Sequence, residues 1–438
     1  MGAEQNSTPW TRRQFVGALG TATGAVIAGW PDALAAADKP VRRTGSRRMK
    51  VAILATEVRK YSHAQHFVDR FLEGYGWHGK HHRPPFDLAG LYVDQFPEGD
   101  LTRERSRRHK TKVFSTVEET LTLGGSKLAV DGVLIIAEHG LYPRTEKGQT
   151  LYPRNDFFQR TVRIFESTGR SVPVFNDKHL STDWNECVAM VEASRRLKFP
   201  FLAGSSLPVT WRIPSVEIPL GTPMEESVCI CYGGIDSYDI HGLETAQCMS
   251  ERRAGGEPGV KSVRAIRGPE VWEQLGEKAN TRRLFLAALA RSFTCKGPSS
   301  YPCAPPDLNW LKREVKNPVV YYIEHLDGFK TTLFLLSGVV TDFTYAGLAK
   351  NGKVFSCQMY LPMPPAVTTL ADFFNPLVNN IEQMLLENAA PYPVERTLLT
   401  SGMTLFAIES LYRGGKLIDT PQLNVAYQAP ERSTYWRA

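Results

Sequence analysis

Between residues 49 and 204 short apolar runs alternate with helix-length stretches, and this alternation constrains the fold more than any other feature of the chain. The runs at 49–55, 87–94, 130–137, 172–175 and 199–204 are apolar through their middles, and 64–75, 116–122, 155–168 and 184–197 between them read as helices. Strands with that pattern are buried on both faces, which a series separated by helices achieves as a parallel sheet covered on both sides. The expected fold class is therefore α/β. A Rossmann-type doubly wound parallel sheet occupies 49–210.

The pattern changes after about Trp211. Runs 228–232 and 263–267 read as strands around a helix at 242–253. Runs 319–323 and 331–336 flank Asp327-Gly328, and 342–348 and 353–361 flank Asn351-Gly352, both hairpin signals. A last helix falls at 398–412. Residues 211–438 are thus expected to form an α+β domain with an open, mostly antiparallel sheet, its final helix packing back on the first domain.

The first 48 residues precede both domains. Thr11-Arg12-Arg13-Gln14-Phe15-Val16 is a twin-arginine pattern, followed by a Gly- and Ala-rich apolar run and by Ala33-Leu34-Ala35, the small-x-small site that a signal peptidase needs. Residues 1–35 are expected to be a twin-arginine signal peptide and 36–48 a linker, making the protein periplasmic. The apolar run is too short and too rich in glycine to span a membrane well. The chain carries a net charge of +7 over 438 residues, part of it in the clusters Arg42–Lys50 and Arg103–Lys112. Aromatic residues are not interleaved with these charges, so they read as solvated loop or linker, and no nucleic-acid partner is expected. The seven cysteines form no CxxC pair and no zinc spacing, although Cys295 and Cys303 bracket a Pro-rich loop and could pair in an oxidising compartment.

Several segments, taken in order, resemble the glucose-fructose oxidoreductase, inositol dehydrogenase and MocA family. Val172-Pro173-Val174-Phe175-Asn176-Asp177-Lys178-His179 is similar to its "PVxxEKP" segment, with Asp for Glu and His179 for the proline. Gly233-Gly234 through His241-Gly242-Leu243-Glu244 is similar to its "GG…H-x-x-D" segment, with Glu for Asp, and Glu409-Ser410-Leu411 through Thr420-Pro421 fits its C-terminal pattern. The resemblance covers most of 49–425. It implies a dehydrogenase of carbohydrates or polyol-like small molecules that uses NAD or NADP, and a homo-oligomer in which the open sheet faces a second copy.

One departure bears on the cofactor. In the family the first strand runs into G-x-G-x-x-G, whose glycines allow the tight turn, the close approach of the pyrophosphate and the packing of the helix. Here the position reads Ala55-Thr56-Glu57-Val58-Arg59-Lys60-Tyr61-Ser62-His63, without a glycine and with a carboxylate where phosphates would sit. Asp94, ending the second strand, stands where the resemblance implies a ribose contact, or it is a turn residue. Arg59 and Lys60 offer charge in place of backbone amides, and Glu138, where the third strand leaves the sheet, completes the expected cofactor-facing set. The rebuilt loop predicts weak dinucleotide binding.

The resemblance places Lys178 and His241 over the substrate carbon. A hydroxyl being oxidised must lose its proton, and a lysine whose pKa is lowered by burial or a histidine near neutrality can take it. More histidines gather where the sheet's C-terminal edge should lie, the ligand-binding edge of such sheets. His63 and His66 stand at i, i+3, His139 follows the third strand, and His179 adjoins Lys178. With Glu138, Asp177 or Glu244 nearby these side chains suit a sugar pocket or a divalent metal. Beside the dehydrogenase stand two other readings: a non-redox lyase or hydrolase using Lys178 and His241, and a non-catalytic ligand-binding protein.

Overall fold

The computed structural model describes residues 47–298, 306–364 and 370–435. The expected signal peptide, almost all of the linker, and Cys303 lie outside the described residues. Among those described, no helix is long and apolar enough to cross a membrane.

The first sheet is built from β1 (Met49–Ala55), β4 (Phe86–Val93), β5 (Lys112–Phe114), β6 (Gly132–Ile136), β7 (Val174–Asp177) and β8 (Phe201–Gly204), with β2 (Tyr75–Trp77) and β3 (Lys80–His82) forming a separate small hairpin. Its order is β5-β4-β1-β6-β7-β8, and every pairing is parallel. The helices between are α1 (His63–Glu73), α2 (Thr102–His109), α3 (Val117–Thr122), α4 (Arg154–Thr168) and α5 (Trp184–Leu197). Val51 through Ala55 are each 0% exposed, as an apolar run sandwiched between helix layers must be. Strand order reverses between β1 and β6, so a ligand crevice is expected beyond their carboxyl ends.

The basic run 103–112 is not the solvated loop expected of it. It forms α2 and leads into β5. Its charges stay at the surface, but Arg105 pairs with Asp69 at 2.9 Å and His109 lies 3.0 Å from Glu73, both acids on α1. These ion pairs, which leave no apolar stripe in the sequence, dock the segment against the sheet edge.

The second sheet contains β9 (Arg212–Ile213), β10 (Met224–Cys231), β11 (Val260–Arg267), β12 (Val319–His325), β13 (Lys330–Leu335), β14 (Thr344–Ala349), β15 (Val354–Met359) and β16 (Ile418–Asp419), in the order β16-β11-β12-β13-β10-β14-β15-β9. All its pairings are antiparallel except β10 with β13. Helix α6 (Asp239–Ser250) covers one face. Helices α7 (Glu270–Glu277), α8 (Ala279–Leu289) and α9 (Leu308–Glu314) cover the other. In β10, Cys229 and Cys231 face the first layer while Val228 and Ile230 face the second, and all four are 0% exposed. The face expected to await a second copy is thus packed by the chain's own helices, which corrects the basis for expecting an oligomer.

The chain then returns. Helix α10 (Asn375–Glu387) sends Leu377, Val378, Ile381 and Leu385 into the core of the first sheet. Helix α11 (Glu395–Tyr412) lies between the domains, with Leu398 in the first core and Leu399, Met403 and Ala407 in the second. Residues of 371–387 also pack in the first core, so both return helices touch the first sheet's core.

Candidate active site

The crevice at the strand-order reversal is a cleft of ≈ 330 Å³. Most of the polar side chains that line it arrive from strand ends and helix starts. His63 begins α1, and Glu138 and His139 follow β6. Lys178 follows β7, Ser206 follows β8, and Ser237, Tyr238 and His241 come from the entry to α6. Phe343, Leu361, Phe373 and Phe374 supply the apolar wall. Lys178 and His241, chosen from motif position, therefore share one cavity.

Lys178 and His139 both hold left-handed backbone, with φ of 63° and 73°, at the ends of β7 and β6. Such conformations cost on the order of 1–3 kcal/mol for residues other than glycine and concentrate at functional sites. The turn aims the Lys178 side chain back across the sheet edge. Its Nζ donates to Glu138 Oε1 at 2.7 Å and to the Ser237 carbonyl at 3.3 Å. Arg154 of α4 donates to the other Glu138 oxygen at 2.7 Å and lies 3.1 Å from His179 Nε2. Burial alone would raise the Glu138 carboxyl, yet the charges of Lys178 and Arg154 hold it well below the usual carboxylate range. Burial alone would lower Lys178, but Glu138 outweighs it and raises the ammonium. Lys178 is a fixed cation, which corrects its expected role as a base of lowered pKa.

His241 has the opposite character. Burial lowers it below the ordinary imidazole range, even though Glu244 acts to raise it. Nδ1 lies 2.9 Å from Ser205 Oγ and 3.3 Å from Glu244 Oε2, one helical turn along α6. Glu244 accepts the Ser205 amide at 2.8 Å through Oε1 and the Ser205 hydroxyl through Oε2. With acceptor oxygens facing Nδ1, the proton sits there and Nε2 keeps its lone pair. Gly204 is required for this arrangement: its φ is 116°, and a Cβ would come within 2.7 Å of Glu244 Oε1.

The other expected residues divide. His63 lines the cleft and its Nδ1 lies 2.6 Å from Asp177 Oδ2. His66 and His139 also line it, and burial pushes both down to about 3. His66 stacks on Phe374, with centroids 4.6 Å apart, rather than pairing with His63 toward an ion. Among the described residues no group of three or more His, Cys, Asp or Glu side chains is arranged to hold a metal ion. His179 and Glu244 do not line the cleft: His179 is buried beneath it against Arg154, and Glu244 stands behind His241. Sequence reasoning missed Arg154, which opens α4 with no local signal of its partner Glu138, while Asp177, placed near the histidines from the sequence, hydrogen-bonds His63 rather than joining a metal site.

The cofactor-facing set does not form. Arg59 donates to Glu57 at 2.5 Å, and Lys60 lies over the ring of Tyr61. Ser62 caps α1, its hydroxyl accepting the amides of Arg59 at 3.1 Å and Gln65 at 3.2 Å. The Tyr61 amide donates to Gln65 Oε1 at 2.6 Å. A pyrophosphate is bound by free amides at such a helix start, and here the amides of Arg59, Tyr61 and Gln65 are taken up by the loop's own side chains. Asp94 accepts the hydroxyls of Tyr92 at 2.8 Å and Tyr142 at 2.7 Å. Gln95 exchanges two hydrogen bonds with the backbone of Leu141, closing the 139–152 loop over the place implied for a ribose. Glu138 is the counter-ion of Lys178 and Arg154. These residues do not fit a tightly held dinucleotide.

The doubly wound sheet followed by the helix-covered second sheet is the fold of the inositol and sugar dehydrogenases of the glucose-fructose oxidoreductase, inositol dehydrogenase and MocA type. Among solved structures, GenD2 from gentamicin A biosynthesis in complex with NAD superposes with a TM-score of 0.53 at 11% identity, covering 85% of this chain and 96% of that one. Myo-inositol dehydrogenase from Lactobacillus casei in complex with NAD(H) and myo-inositol gives 0.53 at 9% identity, over 85% and 97%. A probable dehydrogenase from Thermotoga maritima gives 0.52 at 10%, over 86% and 100%. No protein-family model and no curated protein matches the sequence.

Proposed function

We propose that this protein is an exported enzyme that acts on a carbohydrate or polyol-like small molecule in the cleft, by proton transfer to His241 beside the Lys178 ammonium. The observation that carries this reading is the opposed electrostatics of the two residues in one cavity. An imidazole kept neutral by burial and oriented by Glu244 suits proton removal. A cation fixed by Glu138 suits stabilisation of a developing oxyanion. Because the β1–α1 loop has no glycine and ties up the amides of Arg59, Tyr61 and Gln65 with its own side chains, the reaction we favour is non-redox: cleavage of a sugar that already bears a carbonyl. The dehydrogenase reading rests on the fold, which this chain shares with enzymes solved with NAD. The test is to incubate purified protein with a panel of keto-sugar glycosides, with and without added NAD or NADP. Cleavage independent of added nucleotide, in protein that releases no nucleotide on denaturation, supports the proposal. Turnover only with nucleotide restores the dehydrogenase. No turnover under either condition overturns both.

Export rests on Arg12, Arg13 and the Ala33-Leu34-Ala35 site. Replacing both arginines by lysine should keep the full-length protein in the cytoplasm on fractionation. Mature-length periplasmic protein from that variant would refute twin-arginine export.

A further inference from the structure

The cleft holds a second imidazole–carboxylate pair, on the opposite domain from His241 and Glu244. His63 stands in the first turn of α1 with its side chain 19% exposed, and its Nδ1 is 2.6 Å from Asp177 Oδ2. The Asp177 side chain is fully buried, and its other oxygen has no hydrogen-bond partner among the described residues. His63 is thus the side chain it hydrogen-bonds, while its charge also acts on the adjacent Lys178. With Nδ1 donating to Asp177, His63 presents Nε2 to the cleft, as His241 does from the other side. The neighbouring histidines are less suited to carry a proton: burial pushes His66 and His139 down to about 3.

We infer that His63, held by Asp177, is the general acid that works with His241 as base in a β-elimination on a keto-sugar, the class of substrate this site takes. The inference rests on the proposed function and assigns its second catalytic residue. With a methyl glycoside of 3-ketoglucose, His241 Nε2 removes the proton from C2, the carbon beside the C3 carbonyl. The C–H electron pair passes into the carbonyl as an enolate, whose oxygen faces the Lys178 ammonium. Collapse of the enolate forms the C1=C2 double bond and breaks the C1–O bond. His63 gives a proton from Nε2 to the departing oxygen, which leaves as methanol. The products are an enone and an alcohol, nothing is oxidised or reduced, and solvent returns the two histidines to their starting protonation.

Two readouts on this glycoside separate the roles. Exchange of the C2 hydrogen for deuterium in heavy water reports the base alone, whereas methanol release reports base and acid together. His63→Gln should slow methanol release by roughly 10²–10³-fold while exchange stays within about threefold of the wild type. His241→Gln should lose both. Asp177→Asn, which leaves His63 in place without its carboxylate, should slow release by about tenfold with exchange preserved. If His63→Gln releases methanol at the wild-type rate, or loses exchange and release equally, His63 is not the acid, and the proposed function stands without it. Wild-type protein that neither exchanges nor releases overturns both readings together.

Discussion

Lys178 Nζ and Glu138 Oε1 lie 2.7 Å apart at the floor of the cleft, with both side chains almost wholly buried. They tie the end of β7 to the end of β6, and Arg154 completes the pair from α4. Removing one partner of a buried pair leaves an uncompensated charge, which costs about 3–5 kcal/mol. Because Arg154 still faces Glu138, Lys178→Met should sit at the lower end, about 3 kcal/mol in denaturant unfolding. Turnover should fall by roughly 10²–10⁴-fold. Lys178→Arg should recover part of the stability and little of the activity, since a guanidinium does not reproduce a point donor. A Lys178→Met variant as stable as the wild type would show that the pair is solvated in solution.

For His241 the pH profile is the readout. Burial lowers its proton affinity and Glu244 partly offsets this. The acid limb of kcat/KM, where the base becomes protonated, should therefore lie below the ordinary imidazole value of 6.5. Glu244→Gln removes the raising contribution, so the limb should move to still lower pH while the plateau drops. A limb that moves upward would mean that another group is titrating.

Asp236 makes stability itself depend on pH. It sits in the loop before α6, accepts the Thr150 amide at 2.7 Å, and is pushed up from 3.8 to about 7, chiefly by burial. From about pH 4 to 7 the folded state keeps a proton that the unfolded state has released, so this group's contribution falls as pH rises. Asp236→Asn keeps the acceptor and removes the ionisation. It should leave stability nearly unchanged at pH 4 and raise it at pH 8, by at most about 4 kcal/mol. Equal melting temperatures for variant and wild type at pH 8 would rule this out.

The contrast between what sequence predicts here and what it misses is physical. β1 and β6 are apolar runs flanked by helices, and local pattern alone places them. Lys178 and His241 follow from ordered motifs, because each stands at a strand end or helix start that the alternation already locates. The protonation of Lys178 does not follow from local pattern. It depends on Glu138, forty residues away in the chain, and the same burial that should have lowered its pKa brings that carboxylate within hydrogen-bonding distance. Helix α2 is held by ion pairs across chain segments and carries no apolar stripe. Helices α7 to α9 escape notice for a different reason: Val271, Trp272, Leu275, Leu284 and Phe285 are apolar, but they attach to a sheet face that hairpin signals alone portray as vacant.

That covered face sets the expected assembly state. Val228, Ile230 and Phe334 are 0% exposed beneath the chain's own helices, so no apolar sheet face remains to drive pairing there. Sedimentation velocity at micromolar concentration should show a monomer. A dimer would require another surface, and a concentration-dependent shift in sedimentation coefficient would reveal it.

The nucleotide prediction follows from the loop between β1 and α1. Dinucleotide pyrophosphates need backbone amides presented without side chains in the way. Here Val58 is fully buried, and Glu57 is 4% exposed and held by Arg59. The Ser62 hydroxyl and Gln65 side chain consume the amides of Arg59, Tyr61 and Gln65. At the far end Asp94 is shared by two tyrosine hydroxyls, so a ribose would have to displace Tyr142. Each of these obstacles is worth on the order of 1 kcal/mol, and together they weaken binding by about a hundredfold or more. NAD and NADP should therefore bind the purified protein only in the high micromolar range or weaker by calorimetric titration, and a Tyr142→Phe variant should bind no tighter than about twofold better, since the amides of Arg59, Tyr61 and Gln65 stay tied to the loop's own side chains. Submicromolar affinity in the wild type would mean that the loop reorganises around phosphate, and the dehydrogenase reading would then displace the non-redox one.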